Sequence, residues 1–230
     1  MKKRLFLPSP TRLFFAFFCL LTVDSSAQSW VEVREEPRHH LVFENQFVRL
    51  LNVFIGPGDT TRYHRHNTPS VFIELSTTRV GSQLLGAAPV ITNGIFSRTV
   101  TFDSINRQRI HRVWNLDTGW MHVIDAELPG PPPSRKIPVI SAPGLEKIFA
   151  EEKTNGYQAK LQPGASLVLP ANGSRYLVVC LGNGLLKLST GNQVTRYVVG
   201  PGHYFWMEAG EKKKWLNEGP GSCELAVLQF

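Results

Sequence analysis

The sequence predicts an all-β protein in which one small β-unit occurs twice. Helical periodicity is scarce. Short runs rich in Val, Ile, Leu, Phe and Tyr alternate with clusters of Gly, Pro, Asn and Asp, as in "FVRLLNVFI" (47–55), "SVFIEL" (70–75), "RYLVVCL" (175–181) and "CELAVLQF" (223–230). Many short strands with regular turn signals read as a sandwich or barrel. The chain also matches itself. "GPGDTTRYHRHNTPSVFIEL" (56–75) lies over "QPGASLVLPANGSRYLVVCL" (162–181) without a gap, at an offset of 106. "NLDTGWMHVIDAEL" (115–128) lies over "NEGPGSCELAVLQF" (217–230) at an offset of 102. Two ungapped blocks in the same order indicate a duplication, which fixes the architecture. Between the copies, "PGPPPSRKIPVISAPG" (129–144) is rich in prolines, which lack ladder donors, and is expected to be a linker or an extended crossing.

The first residues are expected to be an export signal. Lys2, Lys3 and Arg4 precede an apolar run from Leu13 to Val23, followed by Ser25-Ser26-Ala27. That is the order of a secretory signal peptide, and the run is short for a membrane span. The expected organisation is a signal over 1–27, a first domain over 28–135 and a second over 136–230. Export would end in a periplasm or outside the cell, and no later segment is apolar enough to span a bilayer. The chain carries a formal charge of +7; without residues 1–27, which hold four basic residues and one acidic one, it carries +4. A mild excess spread along the chain is not a nucleic-acid footprint, which needs basic residues on one face. The run "EKKK" (211–214) reads as a solvated loop. Cys180 and Cys223 lie in strand-like runs, and whether they pair stays open.

The chemistry concentrates at "YHRHNTPSVF" (63–72). Residues i and i+2 of a strand point the same way, so His64 and His66 can converge on one point. A third ring would have to come from another strand. Three neutral imidazoles bind a first-row divalent metal and leave coordination positions open.

On these residues the sequence resembles the cupin superfamily, as a two-domain bicupin. Gly58, five residues, then His64-Arg65-His66 follow the first cupin motif, and His111 and Asn115 follow the end of the second. The usual Glu falls at Ser70 or Val71, the closing Gly falls near Thr77, and "NRQRI" (106–110) stands where Pro-x-Gly is expected. The second half keeps the frame "GPGHYFWMEAGEKKKWLN" (200–217), with Ala209-Gly210 in the Pro-x-Gly slot and Asn217 at its end. The resemblance implies two double-stranded β-helix barrels in tandem. It implies one divalent transition metal (Fe, Mn, Zn, Ni or Cu) on His64, His66 and His111. Without the Glu this is a three-His centre, a type that in this superfamily includes iron-dependent thiol and diketone dioxygenases. In the second half the equivalent positions are Pro170, Asn172, Tyr176 and Lys213, which cannot hold a first-row metal. That half reads as a degenerate copy kept for packing, dimerisation or ligand closure.

Substrate clues come from strand parity. Arg62 shares parity with His64 and His66, and Arg109 with His111, so regular strands would aim both guanidiniums at the metal. Arginine suits a carboxylate, which points to a small anionic organic ligand. The alternative is that both sit at a barrel mouth or pair with Asp59, Asp103 or Glu74. Gln83, in "RVGSQLLG" (79–86), is a further candidate for reaching the metal or ligand. Glu74 is four residues from Ser70, about 13 Å along a strand, too far to replace the missing ligand. Tyr63 and Arg65 are expected to face outward, His39 and His40 to lie on the surface, and His122 and His203 to stand apart from the site. Two functions fit: a metal-dependent, dioxygenase-like enzyme, and a non-catalytic ligand-binding or structural module, with a homodimer as one use of the second half. A fold this permissive does not choose between them.

Overall fold

The computed structural model describes residues 29–105 and 107–230; the expected export signal lies outside them. The first half contains β1 (Trp30–Glu32), β2 (His39–Glu44), β3 (Arg49–Ile55), β4 (Tyr63–His66), β5 (Ser70–Glu74), β6 (Thr78–Leu84), β7 (Val90–Ile95), β8 (Val100–Asp103), β9 (Arg109–Asn115) and β10 (Met121–Glu127). The second contains β11 (Leu145–Ala150), β12 (Asn155–Leu161), β13 (Ser166–Leu169), β14 (Tyr176–Cys180), β15 (Gly184–Thr190), β16 (Gln193–Val199), β17 (Tyr204–Met207), β18 (Lys213–Asn217) and β19 (Cys223–Gln229). Each half forms two sheets. The orders β2-β3-β10-β5-β8 and β11-β12-β19-β14-β17 match strand for strand, as do β4-β9-β6-β7 and β13-β18-β15-β16. The first half adds only β1, parallel to β4. The duplication in the sequence is thus a duplication of the barrel.

The repeat is anchored by the same corner in both copies. Gly58 and Gly164 both take the left-handed φ of a Pro-Gly turn, near 68° and 75°. Each turn is tied to an asparagine: the Gly58 N–H donates to the Asn115 carbonyl and the Gly164 N–H to the Asn217 carbonyl. The Asn115 side-chain amide donates to the carbonyls of Ile55 (3.0 Å) and Gly119 (2.7 Å). Asn217 repeats this with Leu161 (2.9 Å) and Gly221 (2.7 Å). The asparagine that ends the second motif is therefore a buried staple between strands.

The barrels share a core. Val71, Ile73, Leu50 and Ile124 on one side pack with Leu177, Val179, Ala226 and Leu228 on the other, all fully buried. The opposite faces of the same strands look into their own barrels, so both faces are dry and these runs do not alternate apolar with polar. Burying one Leu or Ile is worth about 1.5–3 kcal/mol, so the two barrels are one thermodynamic unit. The proline-rich crossing contains no strand and is pinned to the second barrel. Ile137 and Ile140 are buried, and the Gln229 amide donates to the Pro138 carbonyl at 3.0 Å. Cys180 and Cys223 are free thiols, both buried.

The interiors differ. Tyr157, Tyr176, Leu167, Leu169 and Trp215 fill the second barrel, each 1% exposed or less. The matching registers set Tyr176 where the first barrel has Ser70, and Trp215 where it has Val113. Small residues at these two places leave the first barrel hollow.

Candidate metal centre

Three histidines meet on the inner face of β4 and β9. His64 stands directly across the ladder from His111, and His66 is two residues further along β4. The ring centroids are 4.6 Å (His64–His111), 5.0 Å (His66–His111) and 5.1 Å (His64–His66) apart. One ligand nitrogen from each lies within 4.8 Å of the other two. The His64 Nδ1–H donates to the Arg62 carbonyl at 2.9 Å, which leaves Nε2 as the lone-pair nitrogen. His111 Nε2 and His66 Nδ1 are buried without a hydrogen-bond partner. Burial, and then the neighbouring rings, disfavour the charged imidazoles. His64 is pulled down to about 4, burial acting before His39, and His111 to about 2, burial acting before His64. His66 is lowered for the same reasons. Neutral imidazole is the form that binds a metal, and three rings offering one nitrogen each within 4.8 Å of one another in a buried cavity fit a divalent transition ion.

The histidines border a cavity of about 320 Å³ in the first barrel. Its apolar wall includes Val53, Phe72, Val80, Val113 and Val123, and its polar groups include His39, Glu74, Asp103, Arg109 and Asp125. Arg109 shares parity with His111 and Val113 and reaches the cavity; its Nη1 donates to Asp103, while its Nε is buried without a partner. Glu74 also borders the cavity, and burial raises its carboxyl to about 7. Asp125, fully buried, is raised well above the usual carboxylate range, by burial first and by Glu127 next.

Several expectations need correction. Arg62 is exposed and does not border the cavity. Thr60 is bridged to Trp114 and His64 to His111, so four residues advance on one side while three advance on the other. The extra residue is a bulge, and parity does not carry across it. Thr61, not Arg62, faces inward. Gln83 also misses the cavity. It pairs with Arg112 on the outer face, where its Oε1 accepts from the guanidinium at 2.7 and 3.0 Å, and its neighbour Ser82 takes the inner position. Tyr63 is on the face opposite the histidines, yet buried beneath Arg112, whose guanidinium lies 5.0 Å from the ring. The second barrel has no such bulge, since Ser166–Leu216 and Leu169–Lys213 keep one register. The residue in the place of His64 is therefore Leu169 rather than Pro170. Lys213 is buried in β18 and donates to the Glu208 carbonyl, so "EKKK" is not wholly a solvated loop.

His39 is the largest departure. It is 8% exposed, borders the cavity, and its ring lies 4.7 Å from that of His64. Its Nδ1 is 2.9 Å from Glu36 Oε2, and Glu36 also accepts from the backbone N–H groups of Arg38 and Arg62. Burial opposes the Glu36 charge, but these bonds outweigh it and hold the carboxyl near 2. The β2–β3 hairpin carries His39 against the barrel, a placement that "EPRHHLVFEN" alone does not mark. His40 is exposed. His122 bonds Asn52 at 2.7 Å and His203 accepts from the Gly200 N–H, both away from the cavity.

No family model and no curated protein matches the sequence. Solved structures do. AerE from Microcystis aeruginosa is similar at 14% identity with a TM-score of 0.55, over 84% of this chain and 97% of that one. Salicylate 1,2-dioxygenase from Pseudaminobacter salicylatoxidans is similar at 12% identity and a TM-score of 0.55, over 80% of this chain and 71% of that one. A cupin 2 conserved barrel domain protein from Leptotrichia buccalis is similar at 8% identity and a TM-score of 0.52, over 82% and 86%. At such identities the likeness establishes the fold, which is that of the cupins with two barrels in tandem. The three-histidine cluster of the first barrel is a group of side chains that could hold a metal ion.

Proposed function

We propose that the first barrel holds a divalent transition metal on His64, His66 and His111 and acts as an oxygenase-type enzyme on a small anionic organic molecule. The observation that carries this reading is the convergence of three neutral imidazoles in a cavity of about 320 Å³, at a place where the second barrel is solid. Three protein ligands leave positions open for a substrate, and iron there would supply the redox chemistry that dioxygen requires. The Arg62 carbonyl holds His64 with its Nε2 lone pair inward. Arg109, tethered by Asp103 and with a spare buried Nε–H, would bind the anionic group of the substrate. Val53, Phe72 and Val123 would exclude water around the remainder. The second barrel supports the first through their shared core. We also propose export through residues 1–27, which N-terminal sequencing of the mature protein would reveal as a start near residue 28; an intact Met1 in exported protein would count against it.

The test is substrate-dependent oxygen uptake by iron-loaded protein across small acids, thiols and diketones. Salicylate is included because a structurally similar protein is a salicylate dioxygenase. An active acid is expected, with Arg109→Gln raising its KM at least ~10-fold at unchanged iron content, the loss of one charge-assisted hydrogen bond of about 1.5–3 kcal/mol. No uptake with any compound would favour a ligand-binding module.

A further inference from the structure

Three imidazoles leave the charge of a divalent ion unmatched, and Ser70 stands where the resemblance places a glutamate. Five acidic side chains lie in or beside the cavity. Glu36 is engaged by the His39 ring and two backbone N–H groups. Asp103 holds Arg109. Glu127 pairs with Arg49 at 3.1 Å. Glu74 is four residues along β5 from Ser70, about 13 Å. The fifth is Asp125 on β10, the strand hydrogen-bonded to β5. Its side chain is 1% exposed and borders the cavity, and neither oxygen makes a hydrogen bond of good geometry. Besides His66, the one polar neighbour that favours its charge through a hydrogen bond is the buried, otherwise unbonded Ser70 hydroxyl. Its Oδ2 lies 3.6 Å from Nδ1 of His66, which is also buried and unpartnered.

A potential donor and a potential acceptor, both orphaned and both buried, thus face each other across slightly more than a hydrogen bond. Either group alone weakens the fold, because a buried polar atom without a partner keeps its full desolvation cost. Such local costs persist at functional sites. The geometry also fixes a tautomer. If Nδ1 of His66 is the donor toward Asp125, then Nε2 is the lone-pair nitrogen, as the Arg62 carbonyl already arranges for His64.

We propose that Asp125 is the positioning residue of the metal centre: its carboxylate accepts a hydrogen bond from His66 Nδ1–H, sets the ring with Nε2 toward the ion, and provides the negative charge that Ser70 does not. The proposal rests on the reading that His64, His66 and His111 hold a metal. The carboxylate acts through His66 rather than on substrate, and it comes from the neighbouring strand instead of from β5. Removing such a carboxylate–histidine contact typically weakens metal binding roughly 10- to 100-fold.

The experiment compares wild type with Asp125→Asn, which keeps the shape and removes the charge. Cobalt(II) affinity is measured by competition with a chromophoric chelator, the visible spectrum of the cobalt-loaded protein is recorded, and melting is followed without metal. The expected result is cobalt binding weakened roughly 10- to 100-fold, a shifted visible spectrum, and metal-free melting nearly unchanged, since a buried amide of the same shape replaces the carboxyl. Equal affinity and identical spectra in the two proteins would overturn the role of Asp125 while leaving the metal centre standing. A fall in metal-free melting with no spectral change would make Asp125 merely structural and overturn it too. Failure of wild type to bind cobalt would overturn the metal centre itself, and the proposal with it.

Discussion

Metal-free protein is expected to lose about 3 kcal/mol of stability between pH 6.5 and 4.5 and to destabilise more steeply below that. Three buried histidines drive the loss. In the unfolded chain they take up protons near 6.5; in the folded chain His64 resists to about 4 and His111 to about 2, with His66 lowered as well. Their stabilisation is present above 6.5 and is lost as pH falls toward the folded values. Two carboxyl groups oppose this. Glu74, near 7 in the folded state, and Asp125, raised well above its usual range, hold protons that the unfolded chain has released. Their contribution grows as pH falls to about 4.5. Three protons against two leave a net of about one, worth about 1.4 kcal/mol per pH unit. Below 4.5 the unfolded carboxyls are protonated as well and the opposition ends. Glu36, held near 2, then joins the histidines while His64 drops out at about 4, and the slope rises to roughly 4 kcal/mol per pH unit. A domain with about 5–15 kcal/mol of stability is exhausted within roughly one to four pH units at that slope. Denaturant midpoints from pH 3 to 8, with chelator present, should show the break. Glu74→Gln should remove one opposing group and steepen the upper arm. A flat profile down to pH 3 would show that the imidazoles are not held neutral by burial.

Much of the fold was legible in the sequence because the duplication repeats its corners. Pro-Gly turns and terminal asparagines recur at matching places, and each asparagine makes the same two bonds in its barrel. The three histidines were legible because parity works along β4 and β9. Parity failed for Arg62 because a bulge between Thr60 and His64 reverses facing, and no residue in "DTTRY" announces it. It failed for Gln83 because the expected return strand runs one residue out of phase, with Ser82 inward. Asp125 was hidden for a different reason. β10 is buried on both faces, so "MHVIDAEL" has no polar face to mark which side is the cavity. His39 is set by the register of the β2–β3 hairpin, which includes an irregularity between Leu41 and Phe43. The emptied slot of the second barrel was recognisable, but the means of filling it, Tyr176 for Ser70 and Trp215 for Val113, needed the register.

The metal centre carries the functional reading, and two of its three ligands lie in one short strand. Replacing both should abolish binding, since one imidazole cannot hold a first-row ion in a dry barrel. The fold should survive, because the core between the barrels is untouched and two buried groups that resist protonation have been removed. Saturating metal should raise the melting point of wild type, by the equivalent of about 2.7 kcal/mol at a hundredfold excess over Kd, and leave the variant unchanged. The most direct measurement is metal content per chain of the purified mature protein beside His64→Ala/His66→Ala. Close to one ion per chain in wild type and almost none in the variant is the predicted result. Equal, sub-stoichiometric metal in both would contradict the centre and the oxygenase reading together.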